Sequence, residues 1–179
     1  MIKALGERMI RAAKLDRTLY EEIKGDRWAP MQAAMVVILA AAAAGVSAIA
    51  DDGMGGFFYR TMQAMVQWYA WVFFTYLVGT RLLQEPQTKI DFGTTVRMIS
   101  FASAPGVVSL LGVIPVPGFS NIVIGLVLAW MFGAMVIAVR ETLHYTTTFR
   151  AVGACVIGWA AQYLFMGILE SLRGPAPGA

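Results

Sequence analysis

The chain is poor in the side chains that most often do chemistry. It holds one cysteine, Cys155, and one histidine, His144, among 179 residues. A lone cysteine excludes an internal disulfide framework and a thiolate metal site. A lone histidine excludes a multi-histidine metal centre. Charge is scarce too: 14% of residues are Asp, Glu, Lys or Arg, where a soluble domain carries about 25%. No phosphate-cradling glycine loop, nucleophile paired with a base, or carboxylate pair is present. No Asp, Glu, Lys or His lies deep within an apolar run, where a proton- or sodium-coupled transporter usually needs one. His144 with Glu141 reads as a pair of solvated loop residues. Together these absences point away from an enzyme, and neither a cofactor nor a metal is expected.

What is abundant is apolar surface. Hydrophobic residues make up 58% of the chain, and the mean hydropathy is +0.64. A soluble domain of this size could not hide so much apolar surface behind so few charges. The composition therefore selects a protein dissolved in lipid. The net charge of +3 is concentrated in the first 27 positions and two short loops, a topology signal rather than a nucleic-acid footprint.

Charges divide the chain into apolar runs. Trp28 to Ala50 and Thr61 to Thr80 carry no ionisable side chain, and the first of these is too long for a cleavable signal. Met98 to Val139 is uncharged throughout and too long for one crossing of a hydrocarbon core of about 30 Å. Ile114-Pro115-Val116-Pro117-Gly118 breaks it near the middle and predicts a tight helical hairpin. The last run is Ala151 to Leu169. The expected fold is all-α: a basic amphipathic tail over 1–27, five transmembrane helices within 28–170, and a short flexible tail over 171–179. The spans fall at about 29–50, 60–80, 97–114, 119–140 and 150–169. They are expected to be helices because an unpaired strand edge in lipid costs several kcal/mol per group.

Basic residues set the expected orientation. With the N-terminus inside, Lys3, Arg8, Arg11, Lys14, Arg17, Lys24, Arg27, Arg81, Lys89, Arg97, Arg140 and Arg150 are cytoplasmic. Only Arg60 and Arg173 remain outside, near acidic Asp51-Asp52. This asymmetry obeys the positive-inside rule.

In the tail, Ile2, Leu5, Met9, Ile10, Ala12 and Ala13 share one helical side. Lys3, Glu7, Arg8, Arg11 and Lys14 share the other, a pattern suited to an anionic leaflet. Lys3, Arg8, Arg11 and Lys14 are the candidate contacts to lipid headgroups or to a protein partner. A second stripe, Leu15, Leu19 and Ile23, implies a break near Asp16. Asp16 or Thr18 would cap the next segment, Glu21 would complete a Thr-x-x-Glu box, and Gly25 would end it.

Small residues mark close helix contacts in lipid. Gly125, Ala129 and Gly133 repeat at four-residue spacing on the fourth span, and Ala154 with Gly158 on the fifth. Packing within the chain is the expected use, with a homodimer face as the alternative. Arg60, Gln63 and Gln67 form a polar stripe on the second span, with Gln32 and Gln162 as candidate partners and a solute path as the other reading. Pro105 should kink the third span. Trp68, Trp71, Tyr76, Trp130, Trp159 and Tyr163 read mainly as packing residues.

The stretch from about Val78 to Leu169 resembles the Yip1 domain family in its bacterial branch. The features are Arg97-x-x-x-Phe101-x-x-x-Pro105 within "VRMISFASAPGVV", the turn "IPVPG", and a mid-helix tryptophan in "LVLAWMFGAMVIAVRETLHYTTTFRAV". Arg140 ends that helix and Arg150-Ala151 opens the last span. The tail and first span, "RAAKLDRTLYEEIKGDRWAPMQAAMVVILAAAAAG", are similar as well. The resemblance implies a five-span, N-cytoplasmic protein. Eukaryotic relatives act in Golgi and endoplasmic-reticulum trafficking and bind Rab-type GTPases through membrane-proximal regions. The expectation is a non-enzymatic protein of a bacterial inner membrane that organises or recruits partners at the cytoplasmic face. It would contact anionic lipids and a membrane or cytoplasmic protein, and could form homo-oligomers. The alternative is a small transport or permeability subunit that uses the polar stripe.

Overall fold

The structure, a computed structural model, describes residues 2–88, 90–114, 116 and 118–173. Lys89, Pro115, Pro117 and positions 174–179 of the expected tail lie outside the described residues, as do the side chains of Ile2, Ala50, Asp51, Leu169, Glu170, Leu172 and Arg173. Every regular element among the described residues is helical: α1 (Ile2–Ala13), α2 (Thr18–Gly25), α3 (Ala29–Val46), α4 (Ile49–Leu77), α5 (Phe92–Phe101), α6 (Phe119–Thr142) and α7 (Thr148–Arg173). A π-helical turn, Val78–Leu82, extends α4, and a 3-10 segment, Ala104–Val113, extends α5.

The core of the bundle is a closed ring. Helix α3 packs against α4 on one side and against α5 and the 3-10 segment on the other. Helix α6 continues round from the 3-10 segment, and α7 closes the ring between α6 and α4. Val36, Val72, Met98, Phe101, Ala138 and Ala154 meet inside it. Large side chains that point outward, among them Phe58, Leu126, Leu128 and Leu164, are mostly apolar. So much contiguous apolar surface belongs in lipid rather than water.

Ala29–Val46, Phe119–Thr142 and Thr148–Ile168 are long and apolar enough to cross a membrane. The pair Phe92–Phe101 and Ala104–Val113 makes a fourth if its 45° bend is taken within one span. The five expected spans are thus three or four by length and composition. The difference lies in α4, which runs for 29 residues but dilutes its apolar side chains with Thr61, Gln63, Gln67 and Thr75.

Boundaries shift for identifiable reasons. The first span ends at Val46 rather than near 50, and α4 begins at Ile49, so Asp51-Asp52 lies in helix rather than in a loop. Gly53, at φ 61°, breaks that helix locally and lets it resume at a new angle. The third span begins five residues early, because Asp91 Oδ1 accepts a hydrogen bond from Thr94 N at 2.9 Å and caps α5. It is also not one straight helix. Pro105, near the start of the 3-10 segment, lacks the N–H that would continue α5's ladder, and the axis bends there. Gly118, at φ 77°, immediately precedes α6. Helix α7 continues to Arg173, into the expected tail.

Candidate functional site

The ion pairs found among the described residues gather at the end of the bundle where α3 begins. Helix α1 is not a free amphipathic rod on a surface. It packs on the 3-10 segment, α5 and α6, with Leu5, Arg8 and Ala12 buried. Trp130 Nε1 donates to Ala13 O at 2.8 Å and ties the end of α1 to the flank of α6. A tight turn follows, with Leu15 at φ 62°. As expected, α1 and α2 are separated near Asp16 and α2 ends at Gly25. Asp16 Oδ1 accepts from Thr18 N at 3.0 Å, while Glu21 pairs with Lys24 Nζ at 2.7 Å instead of completing a capping box. Leu19, Tyr20 and Ile23 of α2 are buried, and α2 packs on α5 and α6.

Arg8 holds this arm together. It is only 8% exposed. Its Nη2 donates to Glu22 Oε1 at 2.7 Å, and its Nη1 lies 2.6 Å from Asp26 Oδ2 and donates to Gln32 Oε1 at 2.6 Å. One guanidinium therefore joins α1, α2, the link to α3 and α3 itself. Burial pulls the Arg8 guanidinium down, but the Glu22 and Asp26 carboxylates outweigh it and hold it above its ordinary value. Arg8 and Arg11 in turn hold the Glu22 carboxyl below the usual carboxylate range. Arg11 also pairs with Asp16 at 2.7 Å, and this bond lowers the Asp16 carboxyl. Asp26 is lowered by the Trp28 backbone N–H, which it accepts at 2.8 Å, and then by Arg8.

Two loops meet beside the arm. Glu85, 8% exposed, accepts from Thr146 Oγ1 at 3.1 Å and from Gln87, and pairs with Arg150 at 3.4 Å. Thr88 Oγ1 donates to Leu143 O at 3.0 Å, and Gln87 Nε2 donates to His144 O at 3.1 Å. Tyr145 O–H donates to Gly79 O at 3.0 Å, and burial pushes its phenol up to about 12. Lys24 Nζ comes within 3.4 Å of His144 Nε2, and Arg17 lies 3.8 Å from Glu141. The arm, the 83–91 loop and the 143–147 loop therefore form one connected surface.

The four basic residues of the expected contact set divide. Lys3 and Lys14 are exposed. Arg8 and Arg11 are engaged within the chain, and Arg8 lies on the buried rather than the polar side of α1, because Glu22, Asp26 and Gln32 supply partners that a helical wheel of α1 alone does not show. The small-residue set divides as well. Ala154 and Gly158 are buried, and a Cβ at Gly158 would stand 2.8 Å from the Thr75 backbone. Gly125 and Ala129 face outward, and a Cβ at Gly125 or Gly133 would meet nothing within 4 Å. The packing role expected of the α6 stripe is not served within this chain.

Arg60 and Gln67 are exposed and Gln63 is half-buried. Gln32, one candidate partner of this stripe, is bound to Arg8. Trp68 and Trp71 are core residues, whereas Trp130, Trp159 and Tyr163 lie on the outside, the last two stacked edge to face at 4.8 Å. Glu22, Asp26, Glu85 and Thr146 were not singled out by sequence reasoning. The one available signal was an acid, Glu85, between two apolar runs and matched by Arg150 at the start of the last. No group of three or more His, Cys, Asp or Glu that could hold a metal ion occurs among the described residues.

Apolar helices wrapped in outward-facing hydrophobic side chains, with ion pairs collected at one end, define an all-helical integral membrane protein. The sequence model of the Yip1 domain matches residues 14–169, nearly the whole chain. The chain belongs to the Yip1 domain family. Helix α1 precedes the matched region. No curated protein and no solved structure matches the chain significantly.

Proposed function

We propose that this protein is a non-enzymatic, five-span membrane protein that recruits or organises partners at the surface formed by its arm and two loops. In this reading α4 is the remaining span: it pairs with α3 and α7, which cover Thr61 and Thr75 while Arg60 and Gln67 stay exposed. The arm end faces the cytoplasm of a bacterial cell, in keeping with the positive-inside distribution of Lys and Arg, and the C-terminus lies outside. A role in trafficking or membrane organisation accords with the family. The observation that carries the reading is the internal fastening of the arm. Because Arg8 and Arg11 are occupied by Glu22, Asp26 and Asp16, the arm is a fixed platform. Lys3, Glu7 and Lys14 are left outward for lipid or protein.

Proximity labelling from the N-terminus in the native cell tests it. Reversing Lys3 and Lys14 to Glu should abolish partner labelling while insertion persists. Reporter fusions in the 83–91 loop and at the C-terminus should fall on opposite sides of the membrane. Reporters on the same side, or labelling indifferent to the charge reversal, would overturn the proposal.

A further inference from the structure

Among the described residues, Arg97 is a half-buried cation that no carboxylate answers. Between α3, α4 and α5 lies a crevice of about 110 Å³, lined by Pro30, Ala34, Tyr69, Val96, Arg97 and Ser100 among others. Arg97 is half-buried. Its Nη2 donates to Thr94 Oγ1 at 3.3 Å, and its buried Nε has no hydrogen-bond partner. Among the described residues no carboxylate lies within ion-pair distance of it, whereas Arg8, Arg11, Arg17, Lys24 and Arg150 all have one. Asp91, the acid nearest in sequence, is spent on the cap of α5, where both its oxygens are bound by Thr94. A guanidinium presents five donors in a planar fork; one of them, on Nη2, is bonded to Thr94, and the side chain lines the crevice.

The position matters as much as the vacancy. Arg97 lies five residues into α5, about 8 Å along the helix from its start. It sits opposite the first turns of α3, where Pro30 and Ala34 stand. With α3 to α5 upright in a bilayer, that depth is the headgroup and glycerol region rather than the hydrocarbon centre. The half-buried guanidinium, with its Nε unpartnered, still carries a desolvation cost, and an anion that brings its own apolar stem offsets it. The rest of the lining fits such a stem: Ala34, Val96, Pro30 and the Tyr69 ring are apolar.

We propose that this crevice binds the phosphate diester of an anionic phospholipid, with the Arg97 guanidinium gripping the phosphate and the α3–α4–α5 flank holding the glycerol end. The inference needs the membrane placement of these helices, but not partner recruitment by the arm.

The full chain, delipidated in uncharged micelles, would be titrated with phosphatidylglycerol and bound lipid counted by native mass spectrometry. Charged hydrogen bonds of this kind are worth about 1.5–3 kcal/mol, so Arg97→Gln should weaken phosphatidylglycerol binding by about tenfold or more. Arg97→Lys should stay within a few fold of the parent. Ala34→Phe, at an exposed position on the rim, keeps the charge but fills the crevice, and should also lose binding; it decides the matter if Arg97→Gln does not fold. Lys14→Gln should change little, and phosphatidylcholine should bind more weakly. Unchanged phosphatidylglycerol binding in Ala34→Phe would overturn the proposal. So would an equal loss in Lys14→Gln, or displacement of the lipid by millimolar inorganic phosphate, which would mark a free-anion site.

Discussion

Arg8 and Arg97 pose the same physical problem at two places on one end of the bundle. Each is a guanidinium drawn back from solvent, near the first turns of α3. At Arg8 the chain answers with Glu22, Asp26 and Gln32, all within 2.7 Å of a guanidinium nitrogen. At Arg97, among the described residues, it answers only with a threonine hydroxyl at 3.3 Å. Where the acid comes from the chain, the charge becomes a clamp that fixes the arm. Where it does not, the charge remains available to something outside. Burial of a cation therefore does not by itself say whether a residue is structural; the origin of the counter-charge does.

The strongest way to break this contrast is to remove the clamp. Arg8→Ala leaves two carboxylates and a buried amide without their shared partner, and deleting one member of a recessed ion-pair network is strongly destabilising. Glu22 is partly exposed, so the loss falls below that of a fully buried pair. The expected outcome is a thermal midpoint in detergent lowered by about 5–10 °C. Faster proteolysis after Lys14 and Arg17 should accompany it as the arm lifts. Arg8→Lys should recover only part of the midpoint, since an ammonium cannot reproduce the planar fork. A midpoint unchanged in Arg8→Ala would mean that apolar packing alone seats the arm.

The same distinction between inward and outward residues separates two small-residue stripes that look alike in sequence. Gly158→Ala should destabilise by about 1–3 kcal/mol, because the new methyl would press on the Thr75 backbone. Gly133→Ala should be neutral or stabilising by up to about 1 kcal/mol, since its surroundings are open. Paired melting curves of the two variants check this. Spacing located both stripes, but spacing carries no information on which way a helix is rotated in the bundle. That limit recurs through the fold. The apolar runs of α3, α6 and α7 were legible to within a few residues because lipid-facing helices declare themselves by composition. The start of α4 was not, because charge alone bounds the runs at Ala50 and Thr61, whereas the helix continues through Asp52 and Arg60 with one break at Gly53. Pro105 marked the bend, but not that the chain beyond it would tighten to a 3-10 segment. At the charged end, the break near Asp16 was visible locally. The pairings of Arg8 and Glu85 were not, since each joins residues far apart in sequence.

Acid should loosen the clamp more gently than mutation. The Glu22 and Asp26 carboxyls lie below their ordinary values of 4.5 and 3.8 in the folded chain. A lowered folded value means that the stabilisation is fully present above the ordinary value and is lost as pH falls through the lowered one. Arm protection against proteases of acid tolerance should therefore be constant from about pH 7 to 5 and decline below about pH 4. Because both groups retain contact with solvent, the accompanying change in midpoint should be smaller than that of Arg8→Ala. The Arg8→Ala chain should show a smaller decline, because Arg11 still pairs with Glu22 and the Trp28 N–H still lowers Asp26.

The smallest expected effect is the most informative about Arg97. In lipid-free, uncharged micelles Arg97→Gln should leave the thermal midpoint within about 1 °C of the parent, or raise it slightly. A cation without a counter-charge contributes desolvation cost and little attraction, so its removal takes from the fold little beyond the long bond to Thr94. Added phosphatidylglycerol should then separate the two chains. Ligand that binds only the folded state raises stability with concentration, so the parent's midpoint should climb and that of Arg97→Gln should stay nearly flat. A large loss of stability in Arg97→Gln before any lipid is added would show that the chain does answer this charge, through a contact beyond Thr94. The difference between the two arginines would then be one of degree rather than of kind.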